Sequence, residues 1–109
     1  MNLKEFYFYI AIFTFENDGI HVTFPDLAGC VTFGKDEREA YLMAQEALKL
    51  HLYGMEEDNL EIPYPTSIKD LASTENLSSN EVFTMINVSM SNFRDEQNKK
   101  FSSEVSIAI

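Results

Sequence analysis

Apolar residues fill nearly every position from Glu5 to Phe15, in the run Glu-Phe-Tyr-Phe-Tyr-Ile-Ala-Ile-Phe-Thr-Phe. A continuous aromatic and β-branched run of this length predicts a strand covered on both faces. Asn17-Asp18-Gly19 follows, and Asp-Gly between two such runs predicts a hairpin, because these residues tolerate positive φ. Ile20-His21-Val22-Thr23-Phe24 then alternates, with Ile20, Val22 and Phe24 toward the core and His21 and Thr23 away from it. Pro25 ends that strand. Asp26-Leu27-Ala28-Gly29 supplies a turn, and Cys30 to Gly34 reads as a third short strand in an antiparallel meander.

From Lys35 to Tyr53 the apolar period changes to that of a helix on the order of 27 Å long. Asp36 is the expected N-cap, Glu39 its capping-box partner, and Gly54 the stop. Ala40, Ala44, Ala47, Leu48 and His51 or Leu52 form its inner stripe, and Glu39, Glu46 and Lys49 its outer one. Two prolines force Leu60-Glu61-Ile62-Pro63-Tyr64-Pro65 into an extended path. After a polar stretch with a linker-like portion from Ser73 to Glu81, Val82 to Val88 reads as a fourth strand. Asn92 to Lys100 reads as a short helix, and Phe101 to Ile109 as a weakly strand-like tail. The expected class is α+β, in the order β-β-β-α-β with a closing helix, its sheet of three to four strands covered on one face by the long helix. A strand that returns after a helix usually makes a right-handed crossover, so the fourth strand is expected parallel to a neighbour, making the sheet mixed.

At 109 residues the chain suits one domain, expected over 1–98 with 99–109 as a tail. Eighteen acidic residues against eight basic ones give a net charge of −10, which argues against binding many phosphates and toward a basic partner. Residues 35–58 carry seven of the acidic and three of the basic residues, so the acidity is densest there. One cysteine, Cys30, excludes an internal disulfide framework and a cysteine-rich zinc cage. The N-terminus does not read as a signal peptide, and no apolar run reaches the ~18 residues of a membrane span. A soluble, cytoplasmic protein is expected.

Gly19 to Cys30, then Thr32, Gly34, Glu39-Ala40, Ala44, Glu46-Ala47-Leu48, Ile62-Pro63 and Pro65 carry a resemblance to the HicB family of antitoxins. That family's N-terminal domain has the signature Phe-Pro-Asp-Leu-Pro-Gly-Cys. The fold signature falls here on Phe24, Pro25, Asp26, Leu27, Gly29, Cys30 and Gly34, with Ala28 where the family usually has Pro. The resemblance implies a partial RNase H-like fold and a small basic HicA-like toxin as partner, an mRNA-cleaving ribonuclease whose active site the antitoxin masks. A homo-oligomer, dimer or higher, is expected as well. Members usually continue into a DNA-binding segment, for which residues 100–109 leave no room, so direct operator binding is not expected of this chain.

Chemical alternatives are weaker on the residues themselves. His21 and His51 sit on different elements without ligand-spaced acids or cysteines. Asp18, Asp26 and Asp36 would make a two-metal nuclease only if three separate turns converged, and turn and cap roles explain each alone. Cys30 reads as a small buried hydrophobe. No catalytic, metal or cofactor residue is therefore expected. Glu37, Glu39, Glu46, Glu56, Glu57 and Asp58 are either a solvated face or, through the resemblance, a partner surface. Tyr7, Tyr9, Phe13 and Phe15 are expected on the sheet face away from the helix, where a toxin or second copy would cover them. The candidate partner-binding residues are thus Tyr7, Tyr9, Asp26, Glu56, Glu57 and Asp58. A free-standing scaffold that self-associates or binds another protein is the alternative function.

Overall fold

The structure is a computed structural model that describes residues 4–108, with side chains described as far as residue 99. The elements run β1 (Phe6–Glu16), β2 (Gly19–Thr23), β3 (Val31–Gly34), α1 (Glu37–Glu57), α2 (Ile68–Thr74), β4 (Glu81–Ser89) and α3 (Ser91–Ala108). The four strands form one sheet in the order β3-β2-β1-β4.

Every neighbouring pair is antiparallel, which corrects the expectation of a parallel fourth strand in a mixed sheet. α1 carries the chain back from the end of β3. The segment from Asp58 to Asn80, with α2 inside what reads as a polar stretch, then returns it to the Glu16 end of β1. There Phe15 N–H donates to the Asn80 carbonyl at 2.8 Å, and Asn80 Nδ2 donates to the Phe15 carbonyl at 3.0 Å. A strand that starts at that end beside β1 can only descend against it. The simple crossover rule fails because the connection crosses the molecule twice.

The hairpin sets which face of β1 meets α1. Glu16 pairs with Gly19, hence Phe15 with Ile20 and Phe13 with Val22. The positive φ of the turn falls on Gly19, at 140°. Tyr9, Ala11 and Phe13 therefore join Ile20, Val22, Ile86 and Val88 in the core under Ala40, Ala44, Leu48 and Leu52 of α1, with Tyr7 packed at its margin. This reverses the expected placement of Tyr7, Tyr9, Phe13 and Phe15. A strand apolar on both faces carries no alternation, so its phase cannot be read locally, and one step of register exchanges its faces. Ile10 and Ile12 point the other way and are buried apart from the main core, as is Leu71.

Asp36 caps α1 as expected, accepting Glu39 N–H at 2.8 Å, while Glu39 Oε1 accepts Lys35 N–H at 3.0 Å. Gly54 does not end the helix. α1 continues through Glu57 with Asp58 as C-cap, and Asn59 takes the left-handed conformation (φ 55°) that closes it. Leu60 N–H then reaches the Met55 carbonyl at 2.9 Å. α3 is likewise longer than expected: its backbone is helical to Ala108, across most of the tail that reads as weakly strand-like, with Ile109 outside the described residues. β-branched residues cost a helix only tenths of a kcal/mol each, too little to stop one already nucleated.

Glu5 ties both ends of this layer together. Its Oε1 accepts the Ser89 hydroxyl at 2.6 Å and the Ser91 hydroxyl at 2.9 Å, and its carbonyl accepts Met90 N–H at 2.8 Å. The Ser89 and Ser91 hydroxyls hold the Glu5 carboxyl below its ordinary 4.5. A depressed carboxylate stabilises the fold fully above the ordinary value and stops doing so as pH falls through the folded one. The folded chain is therefore expected to weaken as pH drops below about 4.5. Urea midpoints for Glu5→Gln should show a shallower loss over that range; a slope equal to the parent's would remove Glu5 from the account.

Candidate protein-binding surface

The signature segment folds by two tight turns in series. Leu27 N–H donates to the Phe24 carbonyl at 3.0 Å, Cys30 N–H to the Leu27 carbonyl at 3.0 Å, and Phe24 N–H to the Cys30 carbonyl at 3.2 Å. Phe24, Leu27 and Cys30 are the buried feet of this loop, and Gly29 supplies a φ of 85° that an L residue resists. Cys30 Sγ lies 3.7 Å from the Ala47 carbonyl, and burial pushes its thiol up to about 11, so it stays protonated.

Asp26 turns inward to the proline segment. Its two carboxylate oxygens accept Thr66 N–H and the Thr66 hydroxyl, each at 2.7 Å. The Tyr9 hydroxyl donates to the neighbouring Pro63 carbonyl, and burial, more than the nearby Tyr7 and Asp26, pushes it up to about 12. Two of the expected partner-binding residues are therefore clamps on Pro63–Thr66. Tyr9 is fully buried, which corrects its placement on a surface open to a partner.

Glu56 is also engaged internally. Arg94 of α3 meets it in a fork, Nε to Oε1 at 2.9 Å and Nη2 to Oε2 at 2.7 Å, while Nη2 also reaches the Lys4 carbonyl at 2.6 Å. The Tyr7 hydroxyl donates to Glu56 Oε2 at 3.4 Å. The hydrogen bonds that Arg94 donates to Glu56 raise the Arg94 pKa; burial first and the Glu56 charge second raise that of Tyr7. Glu56 is 8% exposed, so its expected place on a partner surface is corrected too: its charge is spent on Arg94. Glu57 and Asp58 remain exposed, and Glu61 beside them. Thr66, Arg94 and Lys4 have no counterpart in the sequence reading, since nothing local marks a residue whose partner lies about 40 or 90 positions away.

The other acidic candidates stay apart. Asp18 pairs with His21 at 3.3 Å in the hairpin, His21 stacks edge-on to Phe33 at 5.0 Å, and Asp36 caps α1. Among the described residues no three His, Cys, Asp or Glu side chains group as metal ligands, and no helix is long and apolar enough to cross a membrane.

The surface carries apolar ground beside the free acids. Phe6 is 71% and Tyr64 87% exposed, with Leu60, Phe8 and Met85 also open. A cleft of about 320 Å³ separates Phe6–Tyr9 from Leu60–Pro65, with Lys4 at its rim. A larger hollow of about 750 Å³ lies between α1, β4 and the start of α3. Both fit a protein-binding surface, with carboxylates around aromatic anchors.

Residues 8–107 match the family of HicB-like antitoxins of bacterial toxin–antitoxin systems. The chain belongs to that family. Among solved structures this HicB-like fold is similar to the HicA3 and HicB3 toxin–antitoxin complex, with a TM-score of 0.65 at 18% identity over 75% of this chain and 98% of that one. A toxin–antitoxin complex from Streptococcus pneumoniae gives a TM-score of 0.65 at 19% identity, covering 94% of this chain and 96% of the other. The N-terminal domain of Burkholderia pseudomallei antitoxin HicB gives 0.60 at 16% identity, over 73% and 95% of the two chains. In sequence, an uncharacterised 14.9 kDa protein of the rep–hol intergenic region of Haemophilus phage HP1 is 43% identical over 53 residues, 49% of this chain and 40% of that protein's length. A UPF0150 protein of Thermoplasma acidophilum is 36% identical over 56 residues, 50% of this chain and 81% of its own length. The HicA3 and HicB3 complex and the Burkholderia HicB domain match the α+β fold of this chain, a four-stranded antiparallel sheet with helices.

Proposed function

We propose that this HicB-like chain binds and neutralises a small basic HicA-like toxin, covering the site with which the toxin cleaves mRNA, and has no catalytic activity of its own. The family match across residues 8–107 carries the reading. The net charge of −10 supports it, because a surface built for RNA phosphates attracts carboxylates. Such a pair would work in the cytoplasm, where mRNA is translated.

Mixing the purified chain with a small basic HicA-like ribonuclease of the same host is expected to abolish that protein's RNA cleavage at equimolar ratio. An undiminished cleavage rate in a folded mixture refutes the proposal. Because Glu56 is held by Arg94, the steering charges are Glu57 and Asp58. Reversing both to lysine is expected to slow association roughly tenfold at low salt and to leave dissociation nearly unchanged.

Self-association as a scaffold is the second reading, favoured by the open Phe8 and Met85 on the sheet face away from α1. It predicts a dimer or larger assembly of the chain alone, with no effect on RNA cleavage.

A further inference from the structure

β2 stops where its ladder would need a hydrogen the chain does not carry. The register runs Glu16 to Gly19, Thr14 to His21 and Ile12 to Thr23, so the next rung would pair Ile10 with Pro25, which has no N–H. The direction of the vacated groups follows from the other side of β1. Gln45 Nε2 donates to the Asn87 carbonyl at 2.9 Å, which places that carbonyl on the outer edge of β4. Asn87 stands opposite Phe8, so the two form a non-hydrogen-bonded pair, and Phe8 N–H and C=O point away from β4. Phe6 and Ile10, two residues either way, point with them; Ile10 is 1% exposed and does not line the cleft, so Phe6 and Phe8 are the groups open to it. Among the described residues these N–H and C=O groups have no hydrogen-bond partner.

The chain that passes this edge does not pair with it. Pro63 and Pro65 lack donors, and the link across is the Tyr9 side chain on the Pro63 carbonyl. Between them lies the 320 Å³ cleft, walled by Phe6, Phe8, Leu60, Ile62 and Tyr64. Unpaired edge groups facing a slot with aromatic walls are what strand addition uses: main-chain bonds supply affinity, and the walls select alternate side chains.

We infer that this slot accepts an extended segment of the protein partner as an added strand on β1, with apolar residues at alternate positions and Lys or Arg beside them. The identity of the partner rests on the antitoxin reading; the slot does not. Charge specifies the basic flank. Glu61 lines the cleft, Glu57 and Asp58, exposed, precede it closely in the chain, and α1 ends with no basic residue in its last turn to offset its carbonyl end. The opposing charge, Lys4, lies over the Tyr64 ring at 5.2 Å and the Tyr7 ring at 6.0 Å.

Hydrogen exchange on the full chain, alone and with the purified small basic protein, tests the slot within the complex. The Phe6 and Phe8 amides are expected to slow at least tenfold on binding. A complex that leaves these amides unchanged overturns the slot and keeps the antitoxin reading. If no complex forms, that reading fails, and a peptide arm still decides the slot. Its probe is the acetylated, amidated peptide Lys-Val-Thr-Val-Thr-Val-Lys, titrated into the labelled chain by NMR. The expected result is shifts at Phe6 and Phe8, with affinity about tenfold weaker when the internal amides are N-methylated, as loss of two net hydrogen bonds would give. Glu in place of both Lys, or Tyr64→Ala in the chain, is likewise expected to weaken binding about tenfold. Equal affinity for methylated and unmethylated peptides, shifts confined to Phe83 and Met85 on the β4 edge, or no saturable binding at millimolar peptide overturns the slot.

Discussion

Gly34→Ala is expected to destabilise the chain by about 3 kcal/mol or more, the upper range for overpacking a well-filled core. A Cβ there would lie 2.2 Å from the Ala40 nitrogen, 2.4 Å from the Ala40 Cα and 2.8 Å from the Glu39 carbonyl carbon. All three are backbone atoms in the first turn of α1, so no rotamer change relieves the clash. β3 would have to separate from the helix that the Asp36 cap holds in place. Gly54 is the internal control: it sits inside α1 with open space around its missing Cβ. Gly54→Ala is expected to stabilise by about 0.5–1 kcal/mol. Urea denaturation of the two variants checks both signs, and a Gly34→Ala loss below 1 kcal/mol would mean that β3 does not lie against α1 as described.

The second large effect is expected at the fork between α1 and α3. Glu56→Ala leaves the Arg94 guanidinium, with a side chain 16% exposed, facing the Lys4 carbonyl without its carboxylate. Breaking a fully buried pair by removing one partner costs about 3–5 kcal/mol, and partial solvent access brings the expectation here to about 2–4 kcal/mol. Replacing both residues by methionine should restore much of the loss, because it removes the unpaired charge as well as the pair. A double-mutant cycle with coupling below ~0.5 kcal/mol would show that α3 is held by the packing of Phe93 and Met90 alone.

Much of the fold was legible where spacing and chemistry agree. Asp36 with Glu39 announced the start of α1, and the small residues Ala40 and Ala44 announced the face on which it meets the sheet. Asn17-Asp18-Gly19 announced the hairpin but not the phase it would impose on a strand apolar at every position. The direction of β4 was hidden because it depends on the path of residues 58–80, and α2 is too short and polar to show a period. The site was legible in composition more than in place. Asp26 and Glu56 looked like surface acids in the chain, yet each holds a distant segment, Thr66 and Arg94. A carboxylate's role depends on what folds against it, and of the four acids among the candidate partner-binding residues only Glu57 and Asp58, beyond the last buried turn, stayed at the surface.

The pairing of β1 with β4 bears on how the chain is made. β1 leaves the ribosome first, yet its partner ends 73 positions later, from Glu16 to Ser89. At synthesis rates of about 5–20 residues per second, the strand waits on the order of 4–15 s for its neighbour. Until then the apolar run from Phe6 to Phe15 has one hairpin partner and an open edge. Long-range pairing of this kind is slow even after synthesis, so newly made copies pass through an interval in which association and proteolysis compete with completion of the sheet.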